Sequence, residues 1–523
     1  MYKKFRVILV LCCLTFIIIP LASVYAINIS DSIHIGGYLE SQVGVRVSDG
    51  WDEKEKWDTS RWRNTVQLEY GWDVTDNFRM SGIARGFYDA TYSVNNYRFA
   101  GEDIDIDNFG SVPGGDNMQE DFELREYKFI YSTGQLEICA GRQQIVWGES
   151  DFLRLADVIN PLDMSWNWVL ASWEDIRIPQ RMINIKYTMD TPVCPLKLEL
   201  VWNPEDFNPN VLAPPRANWA PKMVPDLSPM LDPFLINAPV GQLNFNNDFV
   251  WRNMRKQLPD EHDLSNGQVG VRVGGTIGSV EVYLFDFYQR VQTAVVDIKD
   301  TGAEYMAGTA PYVVAPEFSW PYINNMGGTF NYYSGFLETV LRGEVAYVFN
   351  QPYAKKSVGP MASILVPLAL PDPGASYVKK DVVKVMLGFD RPSWIRFLNP
   401  DKTFFISGQL FGTFVLDTSD DKLYTGLGKD GREEDMYLFT LMANTEYWES
   451  RIKPEVVVGC DINGNNGFAR AQLAYEPNFS WAFTLGYVNL WGPDGSDSDK
   501  HHAGVFGPMC ENDEVFFNVR LKF

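Results

Sequence analysis

Histidine is scarce in this 523-residue chain, with only four in all, and the scarcity limits the chemistry on offer. His34 falls in the first alternating segment, His262 in a proline-rich stretch and His501-His502 near the end, with no GxSxG or similar nucleophile motif beside them. Such a set does not point to an enzyme in which a histidine activates a serine or a water. Cysteine is equally thin. Cys12 and Cys13 sit in the N-terminal apolar run, while Cys139, Cys194, Cys460 and Cys510 are widely spaced without a CxxC pair, which argues against a zinc or haem motif. Basic residues are outnumbered, 45 Lys and Arg against 67 Asp and Glu, and a formal charge of -22 excludes nucleic acid as a partner. Beyond residue 26 no segment approaches the roughly 18 to 20 continuous apolar residues that a membrane helix requires.

What is present begins at the N terminus. Lys3, Lys4 and Arg6 precede an apolar stretch over 7–21 and the small-residue site Val24-Tyr25-Ala26, the pattern of a secretory signal peptide. The expected organisation is a signal over 1–26 and a single domain over 27–523. Cys12 and Cys13 leave with the signal, and so do its three bases, taking the charge from -22 to -25 (-22 - 3).

The other end alternates. Val515, Phe517, Val519, Leu521 and Phe523 are apolar, with Glu514, Asn518, Arg520 and Lys522 between them. Strand side chains point to opposite faces with period two, so this segment has one greasy face and one largely charged face. An aromatic as the last residue resembles the C-terminal signal of bacterial outer-membrane β-barrels, which makes Val519, Leu521 and Phe523 the expected assembly signal for the barrel-assembly machinery. A chain without membrane helices can span a bilayer only as a closed barrel. The 14 % aromatic content suits interfacial girdles. A secreted or periplasmic β-rich protein is the alternative.

Alternating segments recur along the whole chain, from 33–47 and 61–74 through 326–333 and 336–349 to 513–523, eighteen in all. Short turns at 75–76, 132–134, 278–279, 334–335 and 476–479 alternate with long connections at 90–121, 146–179, 203–267 and 291–325. The expected fold is therefore an all-β transmembrane antiparallel barrel of about 18 strands, with the long connections outside. Loss of the weak hairpin at 334–335 would give about 16.

Acidic clusters crowd the presumed loops. Asp103, Asp105 and Asp107 have the spacing that opens a calcium loop, yet Asn108 stands where the turn glycine belongs. His501-His502 with Asp497, Asp499 and Cys510 offers ligand types for a transition metal, but adjacent side chains on an extended segment point apart. No metal and no cofactor is expected. The loop 203–267 carries many prolines interleaved with Trp219, Phe234 and Phe245, which suits either a plain extracellular loop or a folded plug.

Period two also assigns the interior. In the second segment Trp62, Val66, Leu68, Tyr70 and Trp72 take the lipid side, leaving Arg61, Arg63, Thr65, Gln67 and Glu69 inside. Elsewhere Arg79, Arg85, Arg272, Glu338, Arg342, Glu344, Arg470, Arg520 and Lys522 fall on inward faces. An interior carrying both signs of charge is wet, and serves as a channel wall or as a bed for a plug.

The run Gly141-Arg142-Gln143-Gln144-Ile145-Val146-Trp147-Gly148-Glu149-Ser150, then Ile159-Asn160-Pro161-Leu162-Asp163, and later Arg342-Gly343-Glu344, resembles an uncharacterised family of proteobacterial outer-membrane barrels. The resemblance implies a cleaved signal, many amphipathic strands and no assigned enzymatic role. Genes of that family often lie beside predicted lipid exporters of the resistance-nodulation-division class, which implies envelope transport of hydrophobic molecules and an inner-membrane exporter as partner. By position, Trp147 is expected at interfacial height where the fifth strand leaves the membrane, with Gly148 permitting a bend. Arg142, Trp147, Glu149, Asn160, Asp163, Trp166 and Trp168 are then the candidates for a loop constriction or a ligand contact.

The expected function is transport of a hydrophobic or amphipathic solute across the outer membrane, in contact with its lipid and lipopolysaccharide. A general or anion-selective porin, favoured by the inward arginines, is one alternative. A non-transporting barrel that anchors or sheathes a partner protein is another.

Overall fold

The computed structural model describes residues 27–48, 56–94, 119–166, 171–192, 194–204, 207–212, 219, 258–259, 263–300, 314–355, 377–418, 423–424, 427, 433–492 and 504–523. The expected signal peptide, Asp103, Asp105, Asp107, Trp168, His262 and His501-His502 lie outside these residues, as does most of 203–267.

Eighteen antiparallel strands close into one barrel. They are β1 (Ile33–Arg46), β2 (Thr59–Thr75), β3 (Phe78–Asp89), β4 (Glu120–Thr133), β5 (Leu136–Gln143), β6 (Gln180–Met189), β7 (Leu196–Asn203), β8 (Gln268–Ile277) and β9 (Val280–Arg290). The second half comprises β10 (Tyr322–Ser334), β11 (Thr339–Lys355), β12 (Tyr377–Ser393), β13 (Phe404–Val415), β14 (Asp435–Asn444), β15 (Ile452–Asp461), β16 (Asn466–Tyr475), β17 (Trp481–Trp491) and β18 (Glu514–Lys522). Each strand pairs with its sequence neighbour. Closure is made between β1 and β18, in register from Tyr38↔Lys522 to Arg46↔Glu514. The last residue joins the seam, since Phe523 and Gly37 exchange backbone hydrogen bonds of 2.9 and 3.0 Å.

The hairpin at 334–335 exists, so the strand number is eighteen rather than sixteen. Its turn is longer than its sequence suggests: β11 starts at Thr339, and Glu338 adopts a left-handed φ of 50° in the exposed turn. Glu338 is therefore not a lumen residue. A tight turn is made at Gly278, whose φ of 65° suits a residue without Cβ.

The alternation places apolar side chains outward. Val66, Leu68, Trp72, Leu284, Leu387, Leu410, Leu473 and Leu485 are all exposed, a continuous apolar band of the kind that faces lipid. Val519 and Leu521 share this outward face and pack with Trp481 and Phe483. The inward side chains divide into two sectors. On β6 through β17, Met182, Phe285, Phe287, Ala346, Met386, Phe411, Leu438, Phe468 and Val488 form a dry core inside the barrel. On β1 through β5 and β18 the interior is charged.

Candidate functional site

The dry sector is covered by the connection between β5 and β6, whose described residues 144–166 and 171–179 fold into the lumen. Trp147 is its principal anchor, 1 % exposed, with ring centroids 6.1 and 5.9 Å from those of Phe285 and Phe287. Its indole N–H donates to Glu199 at 3.0 Å, which satisfies the one polar group a buried tryptophan carries. Ile145, Leu155, Ala156 and Ile159 join the same core. Further along, Phe152 stacks on Phe468 at 5.2 Å and touches Phe506 at 5.3 Å. Phe506 comes from a second inward segment, between β17 and β18, and is held by Asn466 Oδ1 accepting its N–H at 2.8 Å.

A connection inside a barrel must satisfy its own backbone, and two wall residues on β11 do much of this work. Glu344, 1 % exposed, accepts from the N–H groups of Glu149, of Ser150 at 2.7 Å and of Ala156 at 3.1 Å. Arg342 donates to the Glu149 carbonyl at 2.7 Å and pairs with Asp151 at 2.6 Å and Asp390 at 2.8 Å. Gly148 is where Glu344 reaches in: a Cβ there would lie 2.9 Å from the Asp157 nitrogen and 3.3 Å from a Glu344 oxygen. The glycine serves close approach rather than a left-handed bend.

The loop is also tied to itself. Asn160 is fully buried; its Oδ1 accepts from Ile145 N–H at 2.9 Å while its Nδ2 donates to the Gln143 and Ile178 carbonyls at 3.2 and 2.9 Å. One amide thus staples the two feet of the loop together, and capture of the Ile145 N–H explains why β5 stops at Gln143. Arg177 grips Asp157 through two nitrogens at 2.9 and 2.7 Å. Trp173–Ile176 forms a helical turn whose Ser172 Oγ accepts from Asp175 N–H at 3.3 Å, and Arg125 from β4 donates to the carbonyls of Glu174, Asp175 and Arg177 at its other end.

Between the loop and the charged sector two cavities remain. The first is lined by Tyr38, Arg63, Arg85, Arg125, Arg142 and Trp166, with Glu123, Asp163 and Asp175 among its acids. The second, more polar, runs past Arg61, Arg470, Arg520 and Asn518 toward Glu476 and Lys522 at the short-turn end. They share Glu40, Gln42, Trp166 and Asp175, so they meet at one place. Nearly every cation in this wet sector has an acid: Arg61–Glu514 at 2.9 Å, Arg520–Glu40 at 3.0 Å, Arg470–Glu455 at 3.0 Å, Arg85–Asp175 at 2.8 Å and Arg142–Glu123 at 2.8 Å.

The three sequence motifs around Arg142 to Ser150, Asn160 and Arg342 to Glu344 therefore meet at the root of one inward loop. A family model described as "Protein of unknown function (DUF1302)" matches residues 39–523. The chain belongs to this family. No curated protein matches its sequence. Among solved structures, the chain resembles Acinetobacter baumannii OccAB4 at 9 % identity and a TM-score of 0.46, over 95 % of this chain and 100 % of the other. Pseudomonas aeruginosa OpdK with vanillate is similar at 9 % identity and 0.44, covering 94 % and 98 %. A BenF-like porin from Pseudomonas fluorescens Pf-5 is similar at 8 % identity and 0.44, covering 95 % and 100 %.

In this DUF1302 member the predicted residues separate by role. Arg85, Arg142, Asp163 and Trp166 line the first cavity, and Arg470 and Arg520 the second. Arg342, Glu344 and Asn160 anchor the loop, and Glu149 contributes its backbone to that anchorage. Arg272 faces inward with its guanidinium 3.8 Å from the Tyr283 ring centre. Arg79 sits half exposed, 3.6 Å from Asp73, close to the β2–β3 turn. Trp147 is not an interfacial residue, because its strand has already ended and the chain has turned into the lumen. Trp219, from the long 203–267 connection, joins the dry core. Residues the sequence reading passed over include Asp157, Arg177, Gln409 and Glu199; each is a polar residue whose partner is distant in sequence. Cys139, Cys194, Cys460 and Cys510 are in no disulfide among the described residues.

Proposed function

We propose that this chain is an outer-membrane barrel of a Gram-negative bacterium that passes or hands over a hydrophobic or amphipathic solute along the wet sector beside its inward loop. The observation that carries this reading is the off-centre division of the lumen. The loop is seated on a dry bed drawn from β6 to β17, which leaves an aromatic and charged passage against β1 to β5, β18 and the Arg470-to-Gln472 and Ala482-to-Thr484 stretches of β16 and β17. A lining with both ring faces and fixed charges suits a solute with both characters. Ion pairing of the inward arginines leaves little excess positive field, which weakens the case for a general anion-selective porin.

Outer-membrane lipid and lipopolysaccharide around the apolar band, assembly machinery acting on β18, and an inner-membrane lipid exporter as supplier all belong to this proposal. The test is single-channel conductance of the detergent-refolded chain in a planar bilayer. Small or flickering conductance is expected, since the loop packs inside the barrel against the inward wall residues. Large steady conductance would mean an open porin and would overturn the proposal.

A further inference from the structure

One cation of the wet sector stands apart. Arg85, Arg125 and Arg142 are all committed to acids or carbonyls of the wall and loop. Arg63 is different. It is 8 % exposed and lines the same cavity, yet among the described residues its guanidinium has no hydrogen-bond or ion-pair partner. The contacts it does make are with two rings, its central carbon 3.5 Å from the centre of Phe87 and 4.1 Å from that of Trp166.

Asp89 and Asp163 are near enough to act on Arg63 through their charge. One oxygen of each is otherwise engaged: Asp89 Oδ1 accepts from the N–H groups of Trp62 and Thr91 at 3.2 and 3.0 Å, and Asp163 Oδ1 from Ser165 N–H at 3.0 Å.

A guanidinium clamped between two rings has its faces covered and its donor edge free, and its orientation is already fixed. The edge carries parallel N–H donors that match a planar carboxylate in a bidentate pair. Burying a cation without a partner is costly, and an incoming anion would relieve that cost. We infer that Arg63, held by Phe87 and Trp166, is a binding site for the carboxylate of an organic solute. Tyr38 and Tyr92 in the same cavity offer ring surface to its apolar part. This inference rests on the passage proposed above and gives its solute an anionic end.

The test uses hexanoate as probe, with hexanamide as its uncharged counterpart and chloride as an inorganic anion, titrated into the detergent-refolded barrel and followed by ligand-observed NMR. Hexanoate is expected to bind, hexanamide not, and Arg63→Gln to weaken hexanoate by about tenfold or more, with Arg63→Lys between. Heat-modifiable migration checks that each variant is folded; if Arg63→Gln is not, Trp166→Leu, which lies on the loop outside the strand ladder, is expected to weaken hexanoate as well. Equal binding of hexanamide, or hexanoate binding unchanged in folded Arg63→Gln, overturns the inference. Chloride displacing hexanoate at equal concentration overturns the organic-carboxylate assignment. Because binding is read without a bilayer, a barrel that conducts but does not bind hexanoate refutes this inference alone, and one that binds it but conducts as a wide pore refutes only the proposed passage.

Discussion

Replacing Glu344 by Ala tests the anchorage of the loop at its most concentrated point. The carboxylate accepts three backbone N–H groups, from Glu149, Ser150 and Ala156. Hydrogen bonds to a charged acceptor contribute roughly 1.5–3 kcal/mol each, and a buried donor left unpaired costs about 1–3 kcal/mol. Sharing one acceptor makes the terms non-additive, so a loss of about 3–4 kcal/mol in loop docking is a reasonable expectation. The strand ladder does not depend on Glu344, so the barrel should still fold and migrate heat-modifiably. The cost should fall on local opening of the loop, where about 3 kcal/mol raises the open population by roughly a hundredfold. Hydrogen exchange at residues 149–156 should accelerate by that order, with frequent wide openings in bilayer recordings. Unchanged exchange there, in a folded variant, would refute the view that Glu344 holds the loop.

Asn160→Ala removes the staple between the feet of the loop; it should make residues 144–147 exchange faster by about tenfold or more and expose the loop to protease, checked by mass spectrometry of cleavage sites. Trp147→Ala empties the largest buried anchor, which costs about 3–5 kcal/mol by analogy with other core truncations, and should raise bilayer conductance while sparing heat-modifiability. Phe523→Ser should slow assembly into outer-membrane vesicles; normal insertion would sink the reading of the C terminus. A reducing agent should leave gel migration unchanged, because Cys139, Cys194, Cys460 and Cys510 are in no disulfide among the described residues.

The barrel was legible because period-two alternation acts within a strand: every predicted segment became a strand, with small shifts at the ends. The shifts came from contacts that alternation does not encode. Glu338 fell into a turn because the hairpin needed more residues than Ser334-Gly335. Ile145 left the ladder because Asn160, fifteen residues later, took its N–H. Trp147 looked like an interfacial aromatic, since a tryptophan after a strand has the same local pattern whether the chain turns to lipid or to lumen. What marked the loop in sequence was the family motifs, not their physics; the union of Gly148, Asn160 and Glu344 appears only when residues nearly two hundred positions apart are brought together.

That separation bears on the order in which the molecule is made. Glu344 lies 195 residues from Glu149, and the dry bed draws on strands from β6 to β17, so most of the wall must be in place before the loop has anything to sit on. Docking of the loop is then expected only after the strands that bear its bed have paired. A newly closed barrel is then expected to be a wider hole until the loop seats, and Glu344, Arg342 and Trp147 are the contacts expected to shorten that stage.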